Sequence, residues 1–168
     1  MPARANPLKP AEHDPGAEHR LRMCELLCSA DQAIEACAAE LSREGPSYTV
    51  ETLRGLHRSH PGVSWTFIAG ADAARTLPSW HSPAELLGLA RMAVAGREHD
   101  TREQVLSAVA QVTGENGGTP VSFLEMAPVD VSSSQVRELV AAGEPVAGLV
   151  GEPVARYISE HRLYRRAA

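Results

Sequence analysis

No stretch of this chain approaches the ~18 consecutive apolar residues needed to span a bilayer, and its opening, MPARANPLKPAEHDPG, holds no apolar signal segment. Both absences predict a cytoplasmic protein with no membrane partner. A basic stripe interleaved with aromatics is missing too, and the formal net charge is -5. That balance argues against nucleic acid as the main partner, so any bound phosphate must be held locally. Cysteine is scarce: Cys24, Cys28 and Cys37 are an odd number with no Cys-x-x-Cys pair, which suggests neither a disulfide framework nor a zinc knuckle. Cys24 and Cys28, one helical turn apart, read as small buried apolar residues. His57 and His60 have a metal-like spacing but no third ligand nearby, and read as a solvated helix terminus. Internal repeats and domain-sized linkers are also absent.

What remains is 168 residues with 43% hydrophobic content, enough for one core and one domain, 1–168. Its organising stretch is VSWTFIAGADAARTLPSW, Val63 to Trp80. Val63, Trp65 and Phe67 alternate with Ser64 and Thr66 up to Ile68, which predicts a strand closed by Ala69-Gly70. Ala71 to Ala74 then favour a helix with Asp72 in its first turn. In open α/β sheets, ligands bind at such a junction, outside the carboxyl end of a strand.

Residues 1 to 16 hold four prolines and predict an irregular entry. Asp14 can cap a helix with Pro15 at its first position and Leu21, Cys24, Leu27 and Cys28 as its apolar stripe. Ala33 to Leu41 fits a helix or a short strand. Thr49 suits a cap for a helix burying Val50, Leu53 and Leu56, stopped by Pro61-Gly62. Ser82-Pro83-x-Glu85 reads as a capping box opening a helix through Ala90, and Met92 to Ala95 as a buried strand. Thr101-x-x-Gln104 predicts a second box, with Val105, Leu106, Val109 and Val112 inward, followed by a loop from Gly114 to Pro120. Val121 to Met126 is a further strand; Ser132-x-x-Gln135 caps a helix that Gly143 stops, and a last helix spans Pro153 to His161. Strands alternating with helices predict an α/β fold, a mostly parallel sheet with helices on both faces.

Three constellations carry chemistry. Ser132, Ser133 and Ser134 at a helix start, with Arg137 one turn on, offer free N–H groups, a dipole, hydroxyls and a guanidinium to a phosphate; serine there also serves simply as a cap. Asp72 behind Gly70 suits a ribose hydroxyl, or the helix dipole alone. Trp80, in a polar turn, suits stacking on a planar ring, or packing onto the sheet.

Five segments in order, Gly45-Pro46-Ser47-Tyr48-Thr49-Val50-Glu51-Thr52-Leu53, Gly70-Ala71-Asp72-Ala73, Leu77-Pro78-Ser79-Trp80-His81, Asp130-Val131-Ser132-Ser133-Ser134-x-x-Arg137 and Tyr157-Ile158-x-x-His161-x-Leu163-Tyr164, resemble bacterial nicotinate mononucleotide adenylyltransferases. The resemblance covers essentially the whole chain, least informatively from Asp100 to Pro120. It implies a Rossmann-like nucleotidyltransferase domain and a step of NAD biosynthesis in which ATP and nicotinate mononucleotide give deamido-NAD and pyrophosphate, with Mg2+. By resemblance, Thr49 and the backbone around Trp80 and His81 form the pocket for the nicotinate carboxylate, with Trp80 stacking on the pyridine ring. Asp72 corresponds to the acidic residue at the nucleotide sugar, and Gly70 lets the backbone approach. Ser132, Ser133, Ser134 and Arg137 correspond to the groups holding the ATP phosphates. Lys9 falls where the family has a Pro-Pro-His-Lys-like loop, although Leu8 replaces the histidine. Arg97 aligns with the arginine of an Arg-Pro-Gly segment, although Glu98 and His99 replace its last two residues.

The family opens with a strand and a Gly-Gly-x-Phe-x-Pro-x-His-x-Gly-His loop, and none of the seven histidines here stands in a His-x-Gly-His. Met1-Pro2-Ala3 stands where the family commonly has Val-Pro-Ala. The expectation is an internal GTG valine codon taken as the start, with a strand and helix on the order of 30 or more residues lying upstream. Finding no in-frame coding sequence for that loop upstream sinks it. Two alternatives are a non-catalytic nucleotide-binding remnant of the fold and an adenylyltransferase preferring nicotinamide mononucleotide. Monomer and homo-oligomer both stay open.

Overall fold

The computed structural model describes residues 1–4, 14–96, 99–114, 121–127 and 131–165, with the side chains of 99–101 left aside. The chain divides into two compact units: Tyr48–Pro128, and Met1–Ser47 with Val129–Ala168.

The first is a sheet unit. Its strands β1 (Trp65–Gly70), β2 (Ala90–Ala95) and β3 (Val121–Leu124) are all parallel and lie in that order. The register sets Phe67 beside Met92 and Ala69 beside Val94, and Met92 and Val94 in turn beside Val121 and Phe123. These residues share one face because side chains alternate along a strand. That face packs on Val50 and Leu53 of α2 (Thr49–Ser59), Ala74 of α3 (Ala71–Ala74) and Leu77 of a 3-10 turn. Leu86 and Leu87 of α4 (Pro83–Leu89), with Val105 and Val109 of α5 (His99–Thr113), complete the core. On the opposite face of β1, Ile68 is 64% exposed.

β1 begins and ends two residues later than its alternation predicts, so Gly70 finishes the strand instead of turning out of it. Tyr48, not Thr49, takes the N-cap of α2, and Thr49 is its first helical residue. The capping box predicted at Ser82 does not form. Ser82 is left-handed, with φ 47° and no side-chain cap, because Glu85 is drawn to Arg54 instead. α5 starts ahead of Thr101, and Leu106 faces outward while Ala108 takes the inward place. His57 is not a solvated terminus: half-buried, it donates from Nε2 to the Leu89 carbonyl at 2.7 Å.

The second unit is helical: α1 (Ala17–Cys28), α6 (Ser133–Ala142), α7 (Ala147–Val150) and α8 (Glu152–Glu160). Val154, Ile158 and Leu163 form its core, flanked by Met23, Leu26, Val140, Val150, Tyr157 and Tyr164. Asp14 accepts from the Gly16 N–H and pairs with Arg20, both at 3.0 Å, so α1 starts beyond Pro15 with Gly16 as cap. The inward residues of α1 are Met23 and Leu26. Leu27 is 55% exposed and Cys24 and Cys28 are only half-buried, which corrects the predicted stripe. Ala33 to Leu41 is neither helix nor strand. α6 carries the predicted capping box, and its stop is Gly143 at φ 80°, a left-handed conformation that suits glycine. The α/β class and the parallel sheet agree with the sequence reading.

Candidate active site

Two groups of the expected site residues fall in the sheet unit, and a third falls in the helical unit. At the carboxyl end of β1, Gly70 has an ordinary extended φ of -68°. No protein atom lies within 4 Å of where a Cβ on it would stand, so the described protein itself does not require glycine there. Asp72 follows in the first turn of α3 with its side chain 95% exposed. Arg75 holds the Asp72 carboxylate from one side of its guanidinium and donates to Gln104 Oε1 of α5 at 2.8 Å from the other. The carboxylate is thereby fixed in direction while its outer face stays open to solvent.

The second group forms where the start of α2 meets the turn before α4. Tyr48 stacks on His81, with ring centroids 4.4 Å apart and planes at 28°. This brings Thr49 and the Trp80-His81 segment together although they are far apart in sequence. Trp80 is half-buried, its ring edge-on to Phe67 at 5.7 Å, and its Nε1 donates to Thr76 Oγ1 at 2.9 Å. An indole held at its polar edge and packed on a strand has a fixed plane. Next to this pair, Arg54 reaches both Glu51 on its own helix and Glu85 on α4, the latter through two donors. The Glu85 carboxyl is held below its usual range, first by the hydrogen bond from Arg54 and further by the charges of Arg54 and His81. Arg54 is correspondingly raised, chiefly by its hydrogen bond to Glu85.

In the helical unit, Ser132 spends its hydroxyl on the cap, accepting from the Gln135 N–H at 3.1 Å. Ser133 and Ser134 are exposed in the first turn of α6, and Arg137 donates to Ser134 Oγ at 3.1 Å. Exposed hydroxyls, first-turn N–H groups and a guanidinium on one helix end make a surface complementary to phosphate.

Comparison with known proteins decides the family. Residues 3–139 match the cytidylyltransferase-like family. A probable nicotinate-nucleotide adenylyltransferase of Symbiobacterium thermophilum is 38% identical over 170 residues, covering 99% of this chain and 79% of that protein. One of Albidiferax ferrireducens is 40% identical over 152 residues, covering 90% of this chain and 74% of its own. The chain belongs to the nicotinate-nucleotide adenylyltransferase family. The solved structure of Plasmodium falciparum nicotinic acid mononucleotide adenylyltransferase complexed with APC shares the fold, with a TM-score of 0.64 at 16% identity over 89% of this chain and 76% of that one.

For this family member, Lys9, Arg97 and Asp130 lie outside the described residues. Sequence reading assigned no contact to three residues that the structure pairs in or next to the site: Arg75 on Asp72, Tyr48 on His81, and Arg54 between two acidic side chains. Arg75 had a local signal, because an acidic and a basic residue three apart on a helix meet. Arg54 shares that signal through Glu51, but its pairing with Glu85 across 31 residues, like that of Tyr48 with His81 across 33, is in no local pattern. Among the described residues no group of three or more His, Cys, Asp or Glu side chains forms a metal cage.

Proposed function

We propose that the chain transfers the adenylyl group of ATP to nicotinate mononucleotide, giving deamido-NAD and pyrophosphate, as a step of NAD biosynthesis. The observation that carries this reading is the meeting of Tyr48-Thr49 with Trp80-His81 in a chain of this family. Thr49 and the backbone at Trp80 and His81 receive the nicotinate carboxylate, and the fixed Trp80 ring stacks on the pyridine. Gly70 and Asp72 take the nucleotide, with Asp72 at a sugar hydroxyl. Ser132, Ser133, Ser134 and Arg137 hold the ATP phosphates, assisted by Lys9 and Arg97. Both units together make up one nucleotidyltransferase domain, working in the cytoplasm without nucleic acid or membrane.

The chemistry asks mainly for positioning and charge. A phosphate oxygen of the mononucleotide attacks the α-phosphorus of ATP in line; one P–O bond forms, the α–β bridging P–O bond breaks, and its electron pair leaves on pyrophosphate. The attacking oxygen is already an anion, so no general base is needed. Arg137 and the N–H groups of α6 meet charge that develops on the leaving side. Mg2+ is the proposed ion. The described residues hold no group of three or more metal-ligating side chains, so the ion would enter on the oxygens of ATP and offset phosphate charge there.

The test is pyrophosphate release from ATP with nicotinate or nicotinamide mononucleotide, on this chain and on a version lengthened upstream to the next in-frame start. Release with faster turnover of the nicotinate form is expected, and Arg137→Ala should lower kcat about 10²- to 10³-fold. No release from either folded protein overturns the reading.

A further inference from the structure

Arg54 presents an arrangement that the transfer chemistry does not use. It lies on α2 one turn beyond Glu51, donates from Nε to Glu85 Oε1 at 2.6 Å, and makes further contacts through Nη2 to Glu85 and Nη1 to Glu51. Glu51 and Glu85 both stand in the first turns of their helices, α2 and α4. Those turns follow directly on the two segments joined by the Tyr48–His81 stack. One guanidinium thus offsets one of two negative charges on carboxylates that follow closely on Thr49 and His81 along the chain. Unbalanced, these carboxylates would repel an anionic ring substituent and leave a neutral one almost untouched.

We propose that Arg54 sets the preference of this site for a pyridine mononucleotide bearing a carboxylate over one bearing a carboxamide, by halving the net negative charge that Glu51 and Glu85 would otherwise place beside Thr49 and His81. The proposal rests on the reading of that site given above. Arg54 touches no reacting atom and acts through the field it cancels. The lowered Glu85 carboxyl is consistent with charges coupled over this distance, since His81 contributes to it.

A purely structural role for the pair makes a different prediction. Loss of either partner would loosen α2 from α4, so Arg54→Gln and Glu85→Gln would shift both substrates in the same sense. Charge cancellation requires opposite signs. Arg54→Gln adds net negative charge and should raise KM for nicotinate mononucleotide about two- to fourfold relative to nicotinamide mononucleotide. Glu85→Gln removes negative charge and should lower that ratio by a similar factor. Both shifts should shrink as salt is raised to about 0.5 M, where the screening length shortens to roughly 4 Å. Arg54→Lys keeps the charge while losing the two-donor geometry, and should leave the ratio near wild type even if the helices loosen.

The experiment measures KM for both mononucleotides, with equilibrium affinities by calorimetry, in these three variants at low and high salt. Opposite, salt-sensitive shifts with Arg54→Lys near wild type support the proposal. Shifts of the same sign, no change of ratio, or an Arg54→Lys ratio like that of Arg54→Gln overturn it. Absence of transfer in the wild-type protein counts against the proposed reaction, while the affinity ratio still decides the role of Arg54. Binding of neither mononucleotide overturns both.

Discussion

The two units of this chain hold themselves together by different means. Among the described residues, the sheet unit clusters twelve buried side chains around a central strand, β2, whose Met92 and Val94 are fully enclosed. The helical unit clusters three, Val154, Ile158 and Leu163, and surrounds them with half-buried aromatics and aliphatics. The difference shows where each kind of site residue can live. A ring that must keep its plane, Trp80, is anchored on the dense core through Phe67. The serines proposed to meet phosphate need only a helix end, and their unit supplies one with a cap of its own.

The strongest test of this contrast is deletion of core volume. Met92→Ala should cost about 3–5 kcal/mol, and Ile158→Ala nearer about 2–3 because a cluster bordered by half-buried chains collapses more readily. Amide hydrogen exchange after each substitution should report faster opening in β1 to β3 for the first and in α1 and α8 for the second. Equal loss of protection in both units from either variant would break the comparison. Next in size is Gly143→Ala, which forces a left-handed φ of 80° on a residue with a Cβ. About 1–2 kcal/mol of lost stability is expected by denaturant titration, although the space around that Cβ is open. Ser132→Ala removes the cap of α6 and should cost about 1 kcal/mol, with faster exchange at the first turn of that helix alone.

The smallest effects are set by pH and should run in opposite directions in the two units. Glu85 titrates below its ordinary 4.5, so its contribution is present above that value and is lost as pH falls through the lowered one. Thermal midpoints of wild type and Glu85→Gln should therefore differ slightly near neutrality and converge in acid; a constant gap would contradict the pairing. Tyr164 in the helical unit is pushed above its ordinary 10.0, mainly by burial. Its contribution is present below that value and is lost as pH rises through the raised one. Tyr164→Phe should accordingly resist alkaline loosening that wild type suffers, and equal alkaline behaviour of the two would refute it.

Much of this was legible locally. The strand, glycine and helix from Trp65 to Ala74 follow from alternation and from alanine's helix preference. The capping box at Ser132 and the stop at Gly143 are complete in their own residues. The box at Ser82 failed although its residues were right, because a charge 31 positions earlier competes for Glu85 more strongly than a backbone N–H does. Leu27 and Leu106 carry apolar signals but face outward: amphipathic spacing tells which residues share a stripe, while neighbouring elements decide how far it is buried. In the candidate site the motif residues were readable. The residues that hold them, Tyr48, Arg54 and Arg75, emerged from tertiary pairing or local ion pairing that the motifs do not display.

The strand order of the sheet has a consequence in time. β1, β2 and β3 are neighbours in space in the same sequence as along the chain, so β2 and β3 each find the preceding strand already made when they leave the ribosome. Each pairing is parallel and needs a crossover, so partners stand 25 residues apart between Trp65 and Ala90 and 29 apart between Met92 and Val121. The sheet unit can therefore assemble in one direction, strand upon strand, before α6 and α8 have been synthesised.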